Sequence, residues 1–154
     1  MSLRFALPFL VAILALSGCV TPIGGGLELA QRPKPEDGQS EIELLAGMGG
    51  TLAEREGCIG LEFPYLEGDS FVTIVWPWNV DIERSLGSWT LRDTLTGTVY
   101  APGDVIEGGG GFFGIERDAD RRRYNRGLVR KLSAKCAAYD TATLNRDFTK
   151  GEPR

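Results

Sequence analysis

Histidine is missing from all 154 residues. Its absence removes the commonest general base near neutral pH and the commonest neutral metal ligand. It also excludes Ser–His–Asp and Cys–His nucleophilic sites. Basic residues are outnumbered, 17 against 21 acidic, for a net charge of −4. That balance argues against a general nucleic-acid binder, which carries a basic surface. No apolar run reaches the ~20 residues that a membrane-spanning helix needs. The glycine run 108–111 is followed by no G-K-[ST] and opens no G-x-G-x-x-G, so it is not a phosphate-binding loop of either kind. A strand-to-loop bulge is the plainer reading of it. No cofactor is called for.

Cysteine is scarce, with three residues at 19, 58 and 136. The first sits in a leader. Arg4 gives a short positive start, and residues 5–16 are apolar except for Pro8. This matches the hydrophobic region of a secretory signal. The leader ends in Leu16, Ser17, Gly18 and Cys19, which resembles the lipobox of bacterial lipoproteins. The resemblance implies cleavage after Gly18, a diacylglycerol thioether on Cys19, and acylation of the new amine. One acyl chain holds a protein to a bilayer only marginally, whereas two or three hold it durably, at ~0.8 kcal/mol per buried methylene. Residue 20 is Val rather than Asp, which within that family points to the outer membrane, facing the periplasm, in a two-membrane host.

Lipidation of Cys19 leaves Cys58 and Cys136 as a pair in an oxidising compartment. A bridge between them would close a 78-residue loop, worth roughly 4–5 kcal/mol by chain entropy. With the cysteines so assigned, a zinc site would have carboxylates alone to draw on.

The mature chain divides in two. Residues 19–40 carry a glycine triplet, three prolines and few apolar side chains. They read as a flexible tether that reaches about 25 Å, with a partly ordered arm packed on the domain as the alternative. Residues 41–154 form the folded domain. Its β signals are short and turn-separated: 50–54, the alternating 58–63, the apolar β-branched 71–76, then 88–91 and 98–100, and a start at 105–106. Short strands at this spacing predict a mainly all-β fold, a small antiparallel β-barrel, with an OB-like barrel among the forms open to it. One segment differs. Tyr124, Leu128, Leu132 and Cys136 recur every four residues, which predicts a helix over 118–135 aimed with Cys136 at the core. Residues 139–148 then alternate as a closing strand.

Candidate sites are few. Trp76 and Trp78 flank Pro77 at a strand end, where aromatic rings stack on a sugar or anchor a partner, if they are not core. Residues 116–135 hold eight basic and three acidic side chains. Arg122 and Arg126 there could meet an acidic surface, or simply form a solvated face. Carboxylate pairs such as Glu62 with Glu67, or Asp104 with Glu107, would be needed for a hydrolase, but a chain with 21 acidic residues contains many such pairs by chance.

Gly50–Thr51–Leu52, Gly57–Cys58–Ile59, Val75–Trp76–Pro77, Gly103–Asp104 and Gly108–Gly109–Gly110 together resemble small β-barrel domains of bacterial envelope lipoproteins over residues 47–148. The resemblance supports the barrel; with no catalytic constellation in the chain, the expected function is a non-enzymatic binding or assembly module that uses the Trp76/Trp78 edge or the basic helix. Its partners would be the membrane, through the lipid anchor, and an envelope protein or glycan. A carbohydrate-binding or inhibitor-type barrel is the alternative, and a carboxylate hydrolase ranks behind both.

Overall fold

The computed structural model describes residues 26–41, 43–66, 70–115 and 117–152. Residues 1–18, expected to be a leader, and Cys19 and Glu67 lie outside them. The elements are β1 (Ala30–Gln31), β2 (Ala46–Arg55), β3 (Cys58–Glu62), β4 (Phe71–Trp76), β5 (Val80–Ser85), β6 (Ser88–Asp93), β7 (Val99–Tyr100), β8 (Val105–Phe113), α1 (Asp118–Asn125), β9 (Asp140–Leu144) and β10 (Thr149–Lys150).

Five strands close a barrel. β2 pairs with β3, β3 with β4, β4 with β9, β9 with β8, and β8 returns to β2. Counting barrel strands along the chain, the circular order is first, second, third, fifth, fourth, which is an OB-like connectivity. The pairs are antiparallel except β4 with β9, which runs parallel. The mainly-β fold, the small barrel and the single helix expected from sequence are all present.

Local chemistry explains the turns. Glu56 and Gly57 both have positive φ, 52° and 87°, as the two-residue turn that best fits the strand twist requires. The run Gly108 to Gly111 is not a loop but the middle of β8. A Cβ on Gly110 would overlap the Met48 sulfur and the Thr143 carbonyl, and one on Gly60 would overlap the Val72 carbonyl. Bare backbone is what lets these barrel strands pack so closely.

Alternation fills the interior with Met48, Leu52, Ile59, Leu61, Phe63, Val72, Ile74, Trp76, Ile106, Ala142 and Leu144. At 1.5–3 kcal/mol for each large apolar side chain fully buried, this is the main stabilising term. The sheet β5–β6–β7 inserts between the third and fourth barrel strands and adds Val80, Leu91 and Tyr100 to the same core. β4 is buried along its whole length because its outer face is covered as well. Phe71 and Val75 meet Ala30, Leu128, Leu132, Cys58 and Cys136 in a second apolar cluster. Cys58 and Cys136 are joined by a disulfide.

Two expectations are corrected. First, part of the 19–40 tether is docked. Leu29, Ala30 and Gln31 are buried, β1 runs parallel to β4, and Glu28 bridges Cys58. The apolar pair Leu27 and Leu29 packs on the barrel core. Second, the helix stops at Asn125 instead of running to 135. The Val129 N–H donates to the Gln31 carbonyl at 3.0 Å, and both polar atoms of the Asn125 side chain bond the backbone of Leu132, at 2.8 and 2.7 Å. β1 thus captures backbone groups that a longer helix would have used. The apolar stripe still reaches the second cluster, carried there by a loop.

Candidate functional site

Trp76 is fully buried and packs edge-on against Phe148, with ring centres 5.9 Å apart. As a contact residue it is ruled out. Its alternation places it inside the barrel. Trp78 lies one turn beyond, half-buried, with Lys34 Nζ 5.4 Å from its ring centre. Gln31 Nε2 fixes this corner by donating to the carbonyls of Trp78 and Val80, at 3.1 and 2.6 Å. Nearby, Arg32 reaches Glu41 at 3.1 Å and the Leu144 carbonyl at 2.8 Å. The Trp78 corner is therefore a braced junction as much as an exposed edge.

Five of the eight basic side chains of the segment are ion-paired. Asp118 pairs with both Arg121 and Arg122, Asp120 with Arg117, Asp81 with Arg130, and Glu28 with Lys135. The Arg121 hydrogen bond, outweighing a small burial effect, holds the Asp118 carboxyl below its ordinary value. Arg122 is thus engaged locally, while Arg126 is exposed. Of the carboxylate pairs, Asp104 meets Lys150 at 2.7 Å. Burial alone would raise its pKa, but the Lys150 and Ala101 hydrogen bonds outweigh it and the net shift is downward. Such a group is a poor proton donor near neutral pH. Among the described residues no group of three or more Cys, Asp or Glu side chains could hold a metal.

The residues that do converge are others. A cleft of about 760 Å³ crosses the outer face of β2, β8 and β10. Its floor is Gly47, Gly49, Gly50 and Gly108, with Pro64 and Tyr65 on one side and Asp147 and Thr149 on the other. A Cβ on Gly47 would meet nothing within 4 Å, and one on Gly49 would make only ordinary contacts. Backbone therefore lies open to a ligand there. The Tyr65 ring is 64% exposed and leans edge-on against Phe63, with centres 5.7 Å apart.

The cleft also contains an open strand edge. β3 pairs with β2 only from Thr51 to Arg55, and the next residue in register opposite Gly49 is Pro64, which has no N–H. On the β8 side the carbonyls of Val105 and Gly109 point away from β2, to Gly151 and Asn145. Antiparallel alternation then turns the N–H and C=O of Gly47 and Gly49 away from β8, into the gap left by β3. Tyr65 Oη donates to the Gly49 carbonyl at 2.7 Å. Among the described residues no other partner is found for these groups. Sequence reasoning missed this site. Its one sequence signal is glycine at alternate positions, 47 and 49, on a strand whose intervening Met48 points inward.

Comparison with protein-family models, with curated proteins and with solved structures finds no match.

Proposed function

We propose that this chain is a non-enzymatic cell-envelope lipoprotein, held at the membrane by Cys19, whose barrel is a binding and assembly module. The observation that carries the binding role is the cleft over Gly47 and Gly49. A large concave surface with bare backbone and one exposed aromatic ring is suited to recognition. The disulfide supports export, since such bridges persist in oxidising compartments. The envelope address rests on the leader and its Leu16 to Cys19 motif. A glycan is the second reading, favoured by the exposed Tyr65 ring on one side of the cleft and the Asp147 carboxylate on the other.

The test is cross-linking in the living cell from photoreactive residues placed at Tyr65, Trp78 and Arg126 in turn. A dominant protein adduct from position 65 is expected. Adducts of glycan alone would favour the second reading. Adducts only from 78 or 126 would move the binding surface to the tryptophan corner or the helix, and no adduct at any position would reject the module.

A further inference from the structure

We infer that the cleft binds an extended, basic segment of a protein partner, which adds as a strand to the open edge of β2. The inference rests on the binding-module reading and names its partner. Four observations carry it. Among the described residues, the N–H groups of Gly47 and Gly49 and the C=O of Gly47 have no partner, and only the Gly49 carbonyl is taken, by Tyr65 Oη. These are the groups that strand addition uses for affinity. Pro64 keeps the chain's own β3 from filling the position.

The outer faces of Gly47 and Gly49 carry no side chains, so alternate side chains of an added strand have room above them. Among the described residues, the ionisable lining of the cleft is Tyr65, Glu107 and Asp147, with no Lys or Arg. A cationic side chain of the ligand lying over the glycines is met by the Asp147 carboxylate, for which no ion pair is found among the described residues. Tyr65, exposed at the rim, caps Gly49 when the site is empty, and a ligand N–H takes its place on that carbonyl.

The test uses the full-length chain in detergent and a dye-labelled probe peptide, KVKVKVK, with EVEVEVE and fully N-methylated KVKVKVK as controls. Binding is read by fluorescence anisotropy, and protection of the Gly47 and Gly49 amides by hydrogen exchange. The basic probe is expected to bind and to protect both amides. It should bind at least about tenfold more weakly to Gly47→Pro, a difference of about 1.4 kcal/mol, since proline removes one edge donor yet is tolerated on an unpaired edge. Asp147→Lys should weaken it severalfold. N-methylation should abolish binding.

Equal binding by Gly47→Pro, or by the methylated probe, would overturn strand addition in favour of diffuse charge attraction. No binding of KVKVKVK would overturn it too. So would a dimer of the chain that Gly47→Pro dissociates, because the occupant would then be a second copy. Competition by glycan fragments without amide protection would give the cleft to a sugar. A protein adduct from position 65 in cells, with no probe binding in solution, would remove strand addition and leave the binding module standing.

Discussion

Asn79 Nδ2 donates to Asp93 Oδ1 at 2.9 Å, joining the start of β5 to the end of β6 inside the protein. Asp93 is 2% exposed and also accepts from the Leu95 N–H at 2.8 Å and the Thr96 hydroxyl at 2.8 Å. Burial pushes its pKa up. The hydrogen bonds from Asn79, Leu95 and Thr96 more than reverse that, so it lies below the ordinary 3.8. The folded state therefore binds this proton less readily than the unfolded state. Its contribution to stability is complete above pH 3.8 and is lost as pH falls through the lower folded value. Urea midpoints should drop on acidification in that window. Asp93→Asn should flatten the part of the drop due to this group, and Asp93→Ala should cost about 2 kcal/mol or more at neutral pH by leaving turn donors unpaired. An unchanged acid profile in Asp93→Asn would contradict this assignment.

Gly110 and Gly47 should respond oppositely to alanine. A Cβ at Gly110 overlaps a backbone carbonyl and the Met48 sulfur, and at Gly47 it meets open space. Gly110→Ala should lose ~1–3 kcal/mol by overpacking, and Gly47→Ala should stay within about 0.5 kcal/mol of the parent. Equilibrium urea denaturation of both variants is the measurement.

Leu29 distinguishes a docked segment from a free tether. It is 5% exposed against the barrel core, so Leu29→Ala should cost about 2–5 kcal/mol. A variant as stable as the parent would mean that residues 27–31 contribute nothing to the fold.

Reduction should destabilise the fold about as much as a large core truncation. The Cys58–Cys136 bridge spans 78 residues, and replacing both cysteines by serine should cost about 2–5 kcal/mol. Thermal unfolding with and without reductant should show the same loss in the parent and no further loss in the double variant.

The proposed anchor predicts that Cys19→Ala releases the protein from the membrane fraction, because the variant could carry none of the acyl methylenes the proposal assigns to that residue. Retention of Cys19→Ala at the membrane would sink the anchor, and mass spectrometry of the mature N-terminus would report the lipid directly.

Much of the fold was legible along the chain because it is encoded locally. The apolar run at 71–76, the Glu56–Gly57 turn and the turn residues 93–97 all appear as β4, the β2–β3 hairpin and the β6–β7 connection. Alternation at 58–63 correctly placed Ile59, Leu61 and Phe63 on the inner face. The helix was half legible. Its acidic start fits the dipole, but its end was decided by Gln31, ninety-eight positions before Val129, whose carbonyl takes the Val129 N–H. No local pattern contains that contact.

By itself the sequence determined the strand periodicity, the single disulfide pairing left once Cys19 is set aside, and the absence of histidine chemistry. These depend on residue type and near neighbours. Tertiary structure alone decided that Trp76 is core, that residues 27–31 form part of the wall, and that glycine runs build strands instead of loops. It alone produced the cleft, because Pro64, Gly47, Gly49 and Asp147 come together only when β2 is paired along one edge by β8 and, on the other, β3 stops short of Gly47 and Gly49. Barrel closure sets which backbone groups find partners, and closure is a property of the whole chain.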